Sequence, residues 1–367
     1  MINLEKNSRI VIKVGSSILV DDSGKLDMAK LGSITTIVSG LKKNGYNVVL
    51  VSSGAIACGM EKLGYTHRPQ TIAESSCAAA IGQSLLMFAY EQLFRKAGLI
   101  CAQILLTSDC LDKRDRYLNA RTTILHLLEK GNVVPIVNEN DAVVTDEIRF
   151  GDNDKLSAQV AVLIDAQLLV ILSDVDGVYD EKGKVIDQIA EIDSCIEKLA
   201  GDTSRQTSTG GMITKFEAAK IAANAGILMV IGNGKNIDLV QNIVDAKQVG
   251  TWFIPKKDKI SGKKKWIAFS CKNCGKIIVD DGAKKALIEK KTSLLAIGIV
   301  AIEGKFSFGD LVVIFDQNAN EIARGLTNYS SDELAKIKKV KTADIENILG
   351  YKSYDEVIDR DNLVVVK

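Results

Sequence analysis

Lysine, aspartate, asparagine and glycine recur in short clusters of the kind that hold phosphates and amino-acid head groups. Lys13-Val14-Gly15-Ser16-Ser17 closes an apolar run near the start of the chain. A lysine at the mouth of a buried strand, beside glycine and two hydroxyls, can hold a phosphate without steric obstruction. A surface lysine ahead of a turn fits the same text equally well. Ser52-Ser53-Gly54-Ala55-Ile56-Ala57 closes a second run. Its small residues let backbone amides approach a ligand, and the next helix would turn its positive end toward an anion. Taken alone, a tight turn that needs Gly54 is the simpler reading.

Asn138-Glu139-Asn140-Asp141 and Gly151-Asp152-Asn153-Asp154 bring many polar side chains into one short region. Capping a helix that starts at Lys155 accounts for one of them, but not for the rest. Such density suits recognition of a substrate's ammonium and carboxylate groups, or the holding of nearby lysines, and strand-end loops are where sites are carried. Ser173-Asp174-Val175-Asp176-Gly177-Val178-Tyr179 is either a turn that touches a nucleotide or a plain Asp-Gly turn. Thr209-Gly210-Gly211-Met212-Ile213-Thr214-Lys215 opens a helix. Its glycines would expose amides to a phosphate, and Lys215 falls in the first turns. Met212, Phe216, Ala219 and Ala223 form a core stripe at helical spacing, with Gly226 as the stop.

These clusters need a frame. Arg9 to Val14, Val48 to Ser52, Ile100 to Leu106, Val133 to Val137, Leu168 to Leu172 and Leu228 to Ile231 read as buried strands. Helical spacing fills Leu31–Leu41, Ile81–Arg95, Leu118–Leu128 and Leu156–Ile164 between them. The alternation predicts an α/β fold with a mostly parallel sheet covered on both faces, whose ligands bind at the carboxyl ends of the strands. Pro135 is a blemish, since proline removes a ladder donor; an edge or strand-end position would accommodate it. After Pro255 the pattern changes to a lysine-rich stretch, 256–276, with eight Lys and one Asp. Short runs follow at Lys276–Val279, Ala296–Ile302, Asp310–Phe315 and Glu321–Leu326, predicting a small β-rich domain.

Composition narrows the chemistry. With 367 residues, two domains are expected, and 46% hydrophobic with 25% charged residues is ordinary globular composition. A net charge of +1 and 5% aromatics argue against dedicated nucleic-acid binding, so RNA is not an expected partner. No unbroken apolar run reaches the roughly 18 residues of a membrane span, and MINLEKNSRI lacks the pattern of a secretory leader. A soluble, cytoplasmic protein without a membrane partner is the expectation. Seven cysteines, an odd number, do not read as a disulfide framework, and Cys271 and Cys274 lack the second pair a tetrahedral zinc site needs. The only histidines, His67 and His126, stand in no metal or triad spacing. Chemistry therefore falls to Lys, Asp, Asn and backbone amides. Neither G-x-x-x-x-G-K-[ST] nor a G-x-G-x-x-G after the first strand is present.

Taken in order, VIKVGSS, VSSGAIACG, VNENDAV, GDNDKLSA, SDVDGVY and STGGMITK closely resemble the glutamate 5-kinase family of the amino-acid kinase superfamily. The likeness runs along residues 8–255, and residues 275–353 resemble a PUA domain. The resemblance implies an α/β/α sandwich at 1–257, a basic linker at 258–274, a PUA-like domain at 275–353 and a tail at 354–367. It implies transfer of the γ-phosphoryl group of ATP, with Mg²⁺, to the side-chain carboxylate of L-glutamate, the first step toward proline.

Matched position by position, Lys13 and Lys215 would stabilise the transferring group and Asp154 would hold them. Ser53, Gly54, Asp141, Asp152 and Asn153 would form the glutamate pocket. Lys13, Ser173, Asp174 and the segment Thr209, Gly210, Gly211, Met212, Ile213, Thr214, Lys215 would contact ATP. No protein ligand for the metal is implied. Family members are often feedback-inhibited by proline and form dimers or tetramers, and a reductase consumes their acyl phosphate product. Ser173 stands where Thr is common and Ser208 where Gly is frequent. Acetylglutamate kinases and aspartokinases also carry the lysine after the first strand, but follow it with paired glycines. Uridylate kinases normally lack the tail domain, and carbamate kinases are a weaker match.

Overall fold

The computed structural model describes residues 4–21, 24–67, 69–144, 153–193, 211–236, 238–255 and 275–365, with the single positions 196, 199 and 267. Two compact units divide the chain, Met1–Lys259 and Ile260–Lys367.

Strands of the first unit are β1 (Arg9–Val14), β2 (Asn47–Ser52), β3 (Ile100–Leu106), β4 (Val133–Glu139), β5 (Leu168–Ser173), β6 (Gln188–Ile189), β7 (Leu228–Asn233) and β8 (Thr251–Phe253). They form one sheet in the order β3-β4-β2-β1-β5-β7-β8-β6. The six strands from β3 to β7 in that order run parallel, and β8 is antiparallel to β7. Both faces are covered, because every residue of β4 and β5 is buried. That is why these strands read as unbroken apolar runs rather than as alternation. Ile10, Ile12, Leu50, Ile136 and Val170 pack in one core cluster with Tyr90 and Phe94.

The helices that matter for the site are α1 (Ser16–Leu19), α2 (Met28–Lys43), α3 (Ala55–Leu63), α4 (Ile72–Lys96), α5 (Ser108–Asp112), α6 (Arg114–Glu129), α7 (Asn153–Leu163) and α8 (Met212–Asn224). After β4 the chain resumes on the far side of β1, so strand order reverses where β1 meets β5. Ligands of open α/β sheets bind at that reversal, beyond the carboxyl ends of the strands. Register aligns those ends, with Val14 opposite both Ser52 and Leu172.

Two sequence expectations change. Pro135 lies in an interior strand, flanked by β3 and β2. It is paired with Ala102, while the register with β2 begins one residue later, at Ile136. In α8 the buried set is Lys215, Phe216, Ala218, Ala219 and Ala222, with Met212 and Ala223 only half-buried. The stripe is rotated because a lysine occupies the inward face. Helix α4 is long and apolar enough by composition to cross a membrane. Here Leu86, Tyr90 and Phe94 bury one side of it in the core, and a Thr71–Glu74 capping box starts it.

The second unit holds β9 (Gly275–Val279), β10 (Ile299–Gly304), β11 (Leu311–Phe315), β12 (Glu321–Leu326) and β13 (Leu363–Val365). Their sheet order is β10-β9-β11-β12-β13, with β9 and β11 parallel and the other pairs antiparallel. Ile277, Ile314, Tyr329 and Ile358 share its core. Residues 354–365 are built into this unit rather than forming a tail, since β13 pairs with β12 and Val357 is fully buried. The Cys271 and Cys274 pair and nearly all of the basic stretch lie outside the described residues.

Candidate active site

Lys13 is the next-to-last residue of β1 and is only 5% exposed, which excludes the surface-lysine reading. Its Nζ lies 2.6 Å from Asp154 Oδ1. Lys215, in the first turn of α8, brings its Nζ to 3.1 Å from Asp154 Oδ2. Thr214 Oγ1 lies 3.1 Å from the same Oδ2 and 2.9 Å from the carbonyl oxygen of Gly211, so its single hydrogen can go to either acceptor. Asp154 is fully buried in the first turn of α7, one residue inside the start at Asn153, with its carboxylate turned to the lysines. Burial pushes this carboxyl upward; the two ammonium groups outweigh it and hold the group below the ordinary carboxylate range. Among the described residues, two cations thus share one anion in a buried corner. That is an environment for a polyanion.

A second cluster adjoins the first through the Asn153–Asp154 peptide. Asn153 Nδ2 donates to Ser53 Oγ at 2.9 Å and to Asn138 Oδ1 at 2.9 Å. Asn138 Nδ2 in turn donates to Gln83 Oε1 at 2.9 Å. Asn153 Oδ1 makes no hydrogen bond among the described residues. Gly54 sits at φ 106°, in the left-handed region that a side chain would strain, and α3 starts directly after it. Asp141 lies in the turn after β4, where its carbonyl accepts from Ser76 Oγ at 2.7 Å. Asp152, Thr209 and Gly210 lie outside the described residues.

Ser173 ends β5, and its Oγ donates to Asp174 Oδ1 at 3.1 Å. Its carbonyl accepts from the Gly234 amide at 2.8 Å, which ties the ends of β5 and β7. Asp174 is exposed at this mouth. The second half of the same turn is structural. Asp176 accepts from Asn233 Nδ2 at 2.9 Å, and a Cβ at Gly177 would lie 2.5 Å from Thr251 Oγ1. Gly211 precedes α8 and, as a glycine, brings no side chain of its own to cap the first amides, and Ile213 is 60% exposed.

The structure thus gathers Lys13, Lys215, Thr214 and Asp154 in one cluster and Ser53 with Asn153 in the next. Ser173, Asp174 and Gly211 stand at strand and helix ends, in no direct contact with Asp154 among the described hydrogen bonds. Sequence reasoning missed Ser76, Gln83 and Tyr90. Their seven-residue spacing on one helix was the available signal. Among the described residues no three His, Cys, Asp or Glu side chains gather as a metal-holding group.

Residues 8–233 match the amino acid kinase family and residues 275–349 match the PUA domain. The chain is 47% identical to a glutamate 5-kinase of Thermoanaerobacter sp. (strain X514) over 365 residues, 98% of each chain. This protein belongs to the glutamate 5-kinase family. A second family member, from Geobacter sulfurreducens, is 47% identical over 369 residues and 99% of each chain. The kinase also shares its fold with N-acetylglutamate synthase from Neisseria gonorrhoeae, solved with coenzyme A and L-arginine. That likeness has a TM-score of 0.51 at 16% identity, over 72% of this chain and 66% of the other. The two-lysine corner and the amide cluster beside it are the candidate active site of this kinase.

Proposed function

We propose that this kinase transfers the γ-phosphoryl group of ATP to the side-chain carboxylate of L-glutamate, giving L-glutamyl 5-phosphate, the first step of proline biosynthesis. The observation that carries the reading is the pair of buried lysines on Asp154, next to the Ser53–Asn153 cluster, where the strand order reverses. A carboxylate oxygen forms a bond to the γ-phosphorus as the bond to the β–γ bridging oxygen breaks, and ADP leaves with that electron pair. The nucleophile is already ionised at neutral pH, so no general base is needed. This accords with a chain whose two histidines stand in no triad spacing.

Lys13 and Lys215 aim positive charge at the equatorial oxygens, whose charge must be met as the bond order falls. Asp154 keeps both ammonium groups in place and makes their burial tolerable. The pocket for glutamate is assigned to Ser53, Gly54, Asp141, Asp152 and Asn153, with the Asp141 carboxylate and Asn153 Oδ1 toward the substrate ammonium. Ser173, Asp174 and Thr209–Lys215 are assigned to ATP. When bound, Mg²⁺ neutralises charge on the β- and γ-phosphate oxygens. We assign catalysis to residues 1–257. Proline as feedback inhibitor, a dimer or tetramer, and the reductase that consumes the acyl phosphate complete the same reading.

The test is ADP formation by the purified full chain with ATP and Mg²⁺. Turnover that requires L-glutamate and is absent with L-aspartate or N-acetyl-L-glutamate is expected. Turnover with N-acetyl-L-glutamate instead would move the specificity to another branch of the superfamily.

A further inference from the structure

Helix α4 carries Ser76, Gln83 and Tyr90 at seven-residue intervals. Two helical turns are 7.2 residues, so all three share one face. Each bonds a different part of the glutamate pocket's frame. Ser76 Oγ donates to the carbonyl of Asp141, Gln83 Oε1 accepts from Asn138 Nδ2, and the Tyr90 hydroxyl meets Ser52 Oγ at 2.9 Å. Gln83 and Tyr90 are 9% and 0% exposed. Polar groups so deeply buried are costly unless paired, and here each is paired with the site.

The middle contact has a direction. Gln83 presents an oxygen, so Asn138 must turn its nitrogen to it and its oxygen toward Asn153. Asn153 then spends its donors on Asn138 and Ser53, leaving Oδ1 as the acceptor for a ligand. The position of Gln83 is fixed independently. A Cβ on its neighbour Gly82 would lie 1.8 Å from the carbonyl oxygen of Ala55, the first residue of α3. A Cβ on Gly59 would lie equally close to the carbonyl of Ala78. Helices α3 and α4 therefore touch backbone to backbone at the pocket, and α4 has no room to shift.

We propose that Gln83 is a positioning residue for the amino-acid substrate. Through Asn138 it sets the orientation of the Asn153 carboxamide, so that Oδ1 faces the substrate ammonium. Gln83 itself does not touch the substrate. This rests on the assignment of Asn153 to the glutamate pocket.

The test compares Gln83→Met, which has similar length and no strong acceptor, with Gln83→Glu, which keeps an acceptor oxygen. KM for L-glutamate, KM for ATP and the melting temperature are read for each. Glutarate, a diacid without the ammonium, is read as a competitive inhibitor. For Gln83→Met, KM for L-glutamate is expected to rise roughly five- to fifty-fold, the size of a lost buried hydrogen bond. KM for ATP should stay within about twofold because its assigned residues lie elsewhere, and so should the inhibition constant of glutarate, which has no ammonium for Asn153 Oδ1 to meet. Gln83→Glu should restore KM for L-glutamate to within about threefold of wild type, since its oxygen still accepts.

An unchanged KM for L-glutamate in Gln83→Met, or an equal rise for glutarate, overturns the proposal. If Gln83→Met does not fold, a large KM increase in folded Gln83→Glu overturns it as well. Asn153→Ala, measured in parallel, separates the two levels. No effect there contradicts the pocket assignment, whereas an effect there without one in Gln83→Met contradicts only the role of Gln83.

Discussion

Lys13 and Lys215, from opposite ends of the kinase sequence, reach the two different oxygens of the Asp154 carboxylate. One is fixed by the end of β1 and the other by the start of α8, so the sheet and the helix meet at this buried group. Positive charge held in place before the reaction needs no reorganisation during it.

Lys215→Ala is expected to lower kcat by roughly 10²–10³, the cost of removing one fixed charge aimed at a transition state. KM for L-glutamate should change little, because the lost interaction strengthens only as the phosphoryl group moves. Steady-state kinetics in both substrates check this. An unaltered kcat would remove Lys215 from the catalytic set.

Asp154→Asn tests the same corner by stability. Breaking a buried ion pair from one side costs about 3–5 kcal/mol, and here two buried ammonium groups lose their carboxylate. The folded Asp154 holds its carboxyl below the ordinary range, so the unfolded chain binds that proton more readily. Its stabilisation is complete above the unfolded value of about 4 and fades as pH falls toward the lower folded value. Urea midpoints of wild type and Asp154→Asn should therefore differ most at neutral pH and converge in acid. A gap independent of pH would contradict the ion-pair account.

Asp141→Asn is expected to raise KM for L-glutamate roughly tenfold or more, the loss of a charge-assisted hydrogen bond. KM for ATP should be unaffected. If ATP suffers instead, the two pockets are assigned in reverse.

Much of this was legible in the chain. Parallel strands buried on both faces read as continuous apolar runs, and the chemistry-bearing clusters fall at their ends, as Lys13 and Ser173 do. What was not legible depends on pairs far apart in sequence. Gln83 and Asn138 are 55 positions apart, and nothing in either neighbourhood names the other. In the turn at Ser173–Tyr179, Asp176 and Gly177 serve the fold, a role that depends on the distant Asn233 and Thr251. Residues beyond 353 read as a tail because β13 is only three residues long and acquires its meaning from β12.

That strand supplies a further expectation. Ending the chain after residue 353 removes β13 together with the fully buried Val357 and Ile358. Losing several core side chains at about 1.5–3 kcal/mol each should unfold the second unit. Circular dichroism melts of the shortened chain would lose one transition. An unchanged melting profile would show that these residues add nothing.

Thiol reactivity separates the cysteines. Burial pushes the Cys58 thiol up to about 11, and Glu61 adds to the shift, whereas Cys77 is exposed on α4. Iodoacetamide at pH 8 is expected to label Cys77 well before Cys58, since the thiolate is the reactive form. Peptide mapping by mass spectrometry reads the order directly. Early labelling of Cys58 would mean that its packing opens in solution.

The most direct test of the central claim traps the product itself. The full chain is incubated with ATP, Mg²⁺ and hydroxylamine, and with L-glutamate, N-acetyl-L-glutamate, L-aspartate or no amino acid. Hydroxylamine converts an acyl phosphate into a coloured hydroxamate. The account predicts hydroxamate with L-glutamate alone, formed at its side-chain carboxyl and lost in Lys215→Ala. No hydroxamate with L-glutamate from folded protein would contradict it.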